Sequence, residues 1–123
     1  MNKNELEKII NSAFENKQNI NEKSEKEIIN AIDQTIELTD KGELRVAEKK
    51  NGSWKVNQWV KKAILLSFRT RPMTMSKGPY TTWYDKVPGK SVTWSESEWK
   101  KAGYRHVPNG VVRKGSFIGK NEE

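Results

Sequence analysis

Apolar residues in the first forty positions recur with a helical period. Leu6, Ile9, Ile10, Ala13 and Phe14 fall at i, i+3, i+4, i+7 and i+8, which predicts one amphipathic helix. Asn4, with Glu7 three residues on, is the expected cap. The polar stretch Asn16 to Asn21 breaks the pattern. Ser24 with Glu27 then reads as a capping box for a second helix carrying Ile28, Ile29, Ile32 and Ile36, and Gly42 is placed to end it in a left-handed turn. Two short helices joined by a polar loop predict an antiparallel helical hairpin.

The period then changes. Leu44 to Lys50, the dipeptide Asn51-Gly52 and Ser53 to Val56 predict a β-hairpin with a type I′ turn, because Asn-Gly accepts the two positive φ angles that turn requires. Leu44 and Val46 alternate with Arg45, and Trp54 and Val56 flank Lys55, so one apolar and one basic face are expected. Asn57 is the expected cap of a third helix with Trp59, Val60, Ala63, Ile64, Leu65, Leu66 and Phe68, apolar on most sides and therefore central. Pro72 stops it, Thr70 to Pro79 reads as an exposed loop, and Pro88-Gly89 marks a turn. Ser95, with Glu96 and Glu98 in the first turn, Lys100-Lys101 in the last and Gly103 after it, predicts a short fourth helix.

The end has no helical period. Gly115-Ser116-Phe117-Ile118-Gly119-Lys120-Asn121 has the rhythm of one hexapeptide β-helix coil, with a plain terminal strand as the alternative. Such coils bury their apolar faces by stacking several repeats. The expected architecture is α+β. A small, mostly helical domain of about four helices with a β-hairpin spans residues 1–108, and residues 109–123 begin a truncated left-handed parallel β-helix.

Composition narrows the chemistry. Hydrophobic residues make up 33% of 123, so the core is expected to be thin, with five tryptophans supplying bulk. No cysteine and a single histidine exclude a disulfide framework and most zinc sites, and no metal is expected. No apolar run is long enough for a membrane span, and a cytoplasmic location is the default. The net charge of +7 is split: residues 1–40 hold five lysines against nine acids, while residues 41–123 hold 18 basic against seven acidic groups. An anion-attracting surface therefore belongs to the second part.

Five ordered strings refine this picture. They are Gly42-Glu43-Leu44-Arg45-Val46-Ala47-Glu48-Lys49 with Trp54 after the turn, Gln58 to Arg69, Tyr84-Asp85-Lys86-Val87-Pro88, Gly103-Tyr104-Arg105 with Val107-Pro108, and Val112 to Ile118. In order and spacing, over essentially all 123 residues, the chain resembles the amino-terminal region of the tetrahydrodipicolinate N-succinyltransferase family. The resemblance implies a trimer, each subunit setting a mostly helical amino-terminal domain with hairpins on a left-handed parallel β-helix. It implies succinyl transfer from succinyl-CoA to the nitrogen of tetrahydrodipicolinate, in diaminopimelate and lysine synthesis. Such transfer needs an unprotonated amine, a base and donors facing the thioester oxygen. In the family the CoA surface and the catalytic acids belong to the β-helix. No catalytic residue and no bound cofactor are therefore expected here, and the chain alone is expected to be monomeric and inactive. Arg71 to Pro79 departs from the family's pattern.

Arg105 is the leading candidate for a substrate-binding residue, since the resemblance places there a guanidinium that grips a dicarboxylate and a planar fork suits that task. Arg69, Arg113 and Lys86 are secondary. For Arg69 the alternative is to complement the third helix's dipole, and for Lys86 a local pair with Asp85. Lys61 and Lys62, adjacent on a helix, cannot face the same anion together. His106 reads as an incidental neighbour of Arg105, lacking a visible carboxylate partner. Packing is expected for Trp54, Trp59 and Trp99, with Trp83 and Trp94 open. Two other readings compete: a small basic nucleic-acid-binding domain using the basic part and its tryptophans, and a stand-alone structural or assembly module.

Overall fold

The computed structural model describes residues 1–78 and 82–121. Helix α1 spans Lys3–Glu15, and a single 3₁₀ turn, Lys17–Asn19, leads towards α2, Lys26–Asp40. Strands β1 (Ala47–Lys50) and β2 (Ser53–Val56) form the first hairpin. Helix α3, Gln58–Thr70, precedes a second hairpin, β3 (Thr74–Lys77) with β4 (Thr82–Asp85), and α4 is Glu96–Ala102. The α+β class holds, with four helices and two two-stranded antiparallel sheets among the described residues.

Helices α1, α2 and α3 pack against one another in all three pairings. Leu6 and Ile10 from α1, Ala31 and Ile32 from α2, and Val60, Ala63 and Leu66 from α3 are fully or almost fully buried. Central α3 nevertheless leaves Leu65 more than half exposed. Lys61 is exposed, whereas Lys62 donates to Asn11 Oδ1 at 3.2 Å and lies over the Phe14 ring, so the adjacent lysines part as expected.

The helix ends show where local chemistry prevailed. The cap of α1 is Asn2 rather than Asn4: its side-chain oxygen accepts the Glu5 N–H at 2.9 Å and its amide reaches Glu5 Oε1, so the same Asx geometry starts the helix earlier. Ser24 does not cap α2. Its hydroxyl accepts the Asn21 N–H at 2.9 Å in the preceding turn, and Glu25 enters the helix without a side-chain cap. Gly42 ends α2 as expected, at φ +78°, with its own N–H on Thr39 O and the Glu43 N–H on Leu38 O. Asn57 precedes α3, but its amide donates to Arg45 O at 2.7 Å and clamps the first hairpin instead of capping the helix. Helix α4 has the full capping box between Ser95 and Glu98 and a left-handed Gly103.

The first hairpin has the expected turn, with φ +50° at Asn51 and +80° at Gly52. Its packing differs from expectation. The register places Ala47, Lys49, Trp54 and Val56 on one face, and Trp54 is 72% exposed. Leu44 and the half-buried Val46 reach the core just ahead of the strand, so Trp54 is not a packing residue. The stretch Thr70 to Pro79 is not simply a loop. Thr74–Lys77 is a wholly exposed strand, which explains why its polar sequence carries no burial signal; Pro79 lies outside the described residues.

Every buried hydrophobic residue among those described falls between Leu6 and Leu66. The second half is attached by other means. Residues 88–90 pair antiparallel with 112–114 through Lys90 N–H to Val112 O and Lys114 N–H to Pro88 O, both at 2.9 Å. The stretch expected to begin a β-helix coil lies along the end of α2, with Phe117 half exposed beside Gly42 and the Arg45 guanidinium over its ring. Residues 122 and 123 lie outside the described residues.

Candidate functional site

Two polar constellations flank the junction of the helical core with the second half. The first is centred on Asp40, the last residue of α2. Its Oδ1 accepts from Lys90 Nζ at 2.8 Å and from the Gly115 N–H at 2.9 Å, and Lys114 Nζ stands 3.4 Å from Oδ2. Lys90 also donates to the Asp40 carbonyl at 2.7 Å, and Lys114 pairs with Glu37 at 2.8 Å. Both Asp40 and Lys90 are buried. Burial pushes the Asp40 carboxyl up, but the Lys90 hydrogen bond, the Gly115 N–H and the two lysine charges outweigh it and hold its pKa below the ordinary value. For Lys114, desolvation pulls down while Glu37 and Asp40 pull harder upward, and its pKa is raised. Every acceptor here is engaged with this chain's own donors, so the arrangement fastens three segments together.

The second constellation is a cleft of about 240 Å³ between the β3–β4 hairpin and the segments 87–92 and 106–113. Trp83, Val87, Val92 and Val111 give it apolar walls, and Asp85, His106 and Arg113 bring chemistry to its edge. Strand pairing explains the wall, since Thr74, Ser76, Trp83 and Asp85 share one face of the hairpin. Arg113 Nη2 and Nε both donate to Asp85 Oδ2, at 2.8 and 3.2 Å. The Lys86 N–H donates to Asp85 Oδ1 at 2.7 Å. That backbone bond, and then the Arg113 bond, hold the Asp85 carboxyl below its ordinary range despite slight desolvation, so it is ionised at neutral pH. No cluster of metal-ligating side chains occurs among the described residues.

The candidates from sequence distribute unevenly around this cleft. Arg113 lines it, exposed, with its guanidinium 6.0 Å from the Phe68 ring centroid. The Lys86 ammonium does not pair with Asp85; it donates to the Phe68 carbonyl at 2.9 Å, completing the C-terminal end of α3. Lys86 and Arg113 thus converge on Phe68. Arg69 follows it in sequence and is exposed on the last turn of α3. Arg105 is exposed one residue before His106. His106, half-buried, lines the cleft, packs 6.0 Å from Trp99, and touches Gly110, where a Cβ would come within 2.9 Å of the imidazole.

Trp94, Trp99 and Tyr104 form an edge-to-face cluster with centroid separations of 5.0, 5.5 and 6.1 Å, which accounts for Trp99 and Trp94 as packing residues. Trp83, 46% exposed, belongs to the cleft. Sequence reasoning missed Asp40, Lys90 and Asp85. A signal existed for Asp40, because a carboxylate in the last turn of a helix opposes the dipole and needs a tertiary reason. None existed for Lys90.

Comparison with known proteins gives this arrangement its context. The chain is 62% identical over 120 residues to the 2,3,4,5-tetrahydropyridine-2,6-dicarboxylate N-succinyltransferase of Pelagibacter ubique, covering 95% of this chain and 44% of that protein. Proteins of the same name from Bradyrhizobium diazoefficiens and Agrobacterium fabrum are 50% and 47% identical over 119 residues, with 94% of this chain and 42% of each relative covered. The chain thus spans less than half the length of these relatives. The model of the tetrahydrodipicolinate N-succinyltransferase amino-terminal domain matches residues 5–70, which take in most of α1 and all of α2, the first hairpin and α3. With more than half its residues inside that match, the chain belongs to the tetrahydrodipicolinate N-succinyltransferase amino-terminal family.

Proposed function

We propose that this chain forms the substrate-side, amino-terminal part of an enzyme that transfers succinyl from succinyl-CoA to tetrahydrodipicolinate, in the synthesis of diaminopimelate and lysine. The observation that carries this reading is the 62% identity sustained over 95% of the chain, second half included. The names of the relatives supply the transferred group and the dicarboxylate acceptor. The basic second half supplies the matching charge, and a small anionic acceptor suits a cleft edged by an arginine. Arg105 is the proposed first contact to the dicarboxylate, with Arg113 second, while Arg69 and Lys86 serve mainly the end of α3.

Acyl transfer also requires a base for the amine proton and donors for the thioester oxygen. We assign those, and the binding of succinyl-CoA, to a hexapeptide-repeat β-helix of the family, working in a cytoplasmic homotrimer. The 123-residue chain by itself then releases no thiol from succinyl-CoA in the presence of acceptor; turnover by the purified chain overturns that assignment. A chimera tests the function directly. With this chain in place of the matching region of the Pelagibacter relative, succinyl transfer is expected, and Arg105→Gln in the chimera raises KM for the acceptor at least tenfold. A folded chimera without transferase activity refutes the reading. Nothing in the comparisons favours the nucleic-acid or stand-alone-module alternatives.

A further inference from the structure

Arg113 is built to hold a carboxylate. Its backbone is fixed by the pairing of 112–114 with 88–90, and its guanidinium lies over the Phe68 ring. Neither support involves Asp85, so both remain in place to hold the guanidinium if Asp85 lets go. Asp85 occupies it incompletely. Both Nε and Nη2 converge on the single oxygen Oδ2, while Oδ1 is held by the Lys86 N–H. A free carboxylate presents two oxygens to the same two donors in parallel, the stronger grip. The existing pair is also accessible, with side chains 51% and 38% exposed, and exposed ion pairs are held weakly. Beyond it runs the apolar cleft of Trp83, Val87, Val92 and Val111, with Lys77 at the end of β3 as a second cation. At about 240 Å³ it lies below the usual range for drug-sized ligands, about 300–1,000 Å³, and suits a small organic acid better than a nucleotide.

From this geometry we propose that Asp85 is an internal stand-in for a ligand carboxylate. It occupies Arg113 when the cleft is empty, and a small dicarboxylic acid displaces it on binding. The ligand class rests on the function proposed above; the displacement rests on the Asp85–Arg113 geometry. Because Asp85 both competes for the guanidinium and repels an incoming anion, it lowers the affinity of the site, as any self-occupied state does.

Asp85→Asn is the decisive variant. Its amide oxygen can still accept the Lys86 N–H, so the backbone is preserved, while the competing charge is gone. Pyridine-2,6-dicarboxylate and pimelate would be titrated into the ¹⁵N-labelled chain, following the Arg113 Nε–H and Lys86 N–H signals. Asp85→Asn is expected to tighten binding about 3- to 10-fold, and Arg113→Gln to weaken it at least 10-fold relative to the native chain. On binding, the native Arg113 Nε–H signal shifts while the Lys86 N–H signal stays in place. Unchanged or weaker binding by a folded Asp85→Asn chain overturns the proposal, as does native affinity in Arg113→Gln or no binding of either acid to any variant. The chimera's transferase activity reports separately on the functional reading. An active chimera with no gain from Asp85→Asn removes the stand-in alone, and an inactive one removes the reading beneath it.

Discussion

Replacing Asp40 by asparagine should release the second half of the chain without melting the helices. The change keeps an acceptor for the Gly115 N–H and keeps the backbone carbonyl that Lys90 also uses, but removes the charge between two ammonium groups. Breaking a buried ion pair by removing one partner costs about 3–5 kcal/mol. The lower end applies, because Lys90 retains the Asp40 carbonyl and Lys114 retains Glu37. No buried hydrophobic residue lies beyond Leu66 among those described, so the Asp40 cluster is the main buried tie of residues 88–90 and 113–115 to α2. Native-state hydrogen exchange measures the loss. A cost of about 3 kcal/mol is roughly a hundredfold in an opening equilibrium. That fall is expected at the Lys90 and Lys114 amides, whose acceptors are Val112 and Pro88, with little change at Ala63 or Leu66 in α3. Adding Lys90→Met removes the stranded ammonium, so the double variant should recover part of the protection. An even loss over the whole chain, no loss at Lys90 and Lys114, or a double variant worse than the sum of its parts refutes the reasoning.

The same hub predicts a pH window. Asp40 is lowered in the folded state, so its contribution is present above the unfolded carboxyl value, about 3.9, and lost as pH falls through its lower folded value; Lys114 is raised, so its share holds below its unfolded value, about 10.4, and is lost above its higher folded one. Urea midpoints across that range should show a plateau with both edges, and Asp40→Asn should erase the acid edge attributable to this group. Gly42→Ala meets two obstacles: a residue at φ +78°, costing about 1–2 kcal/mol for a side chain, and a Cβ placed 2.7 Å from the Phe117 ring. Adding Phe117→Ala should relieve only the second part, as read from denaturation midpoints. Tyr104 Oη is buried with no hydrogen-bond partner among the described residues, and burial followed by the Asp40 charge raises its pKa, keeping it neutral. Tyr104→Phe should therefore leave stability unchanged or raise it by up to about 1 kcal/mol, and a clear loss would reveal a partner for the hydroxyl.

Local chemistry was the legible part of this fold. The 3.6-residue spacing of Leu6 to Phe14, the Asn51-Gly52 turn, Gly42 and the Ser95–Glu98 box each act within a few residues, and each gave its element. Errors arose where two local solutions compete. Ser24 can cap a helix or close a turn with Asn21, and in the fold its hydroxyl takes the Asn21 N–H. Trp54 shows a different limit: alternation tells which residues share a face, but not which face meets the core, and here the core is satisfied by Leu44 and Val46 before the strand begins. The second hairpin was invisible because both strands are almost wholly exposed and their sequence was under no demand to alternate. Arg105, read from the family's strings, does not line the cleft, and of the residues that do, Arg113 was legible. Asp85 and His106 were not, because their positions depend on segments brought together across 20 or more residues.

The uneven charge of the chain gains a second meaning from these contacts. The split between an acidic residues 1–40 and a basic remainder reads as a surface for external anions. In the fold part of it is spent internally: Asp40 takes Lys90 and Lys114, Glu37 takes Lys114, and Asp33 faces Arg71 at 3.6 Å. The Asp33–Arg71 pair is exposed on the acidic side and contributes little, whereas Asp40 and Lys90 are buried, so a docking that buried one without the other would leave a charge without solvent or counterion. Electrostatics thereby does for the second half what apolar burial does for α1, α2 and α3. The cleft inherits that dependence. Arg113 is held between Val112 and Lys114, and the Asp40 cluster anchors Lys114 and Gly115 on its C-terminal side. The backbone that carries the guanidinium is therefore tied, on its C-terminal side, to the end of α2.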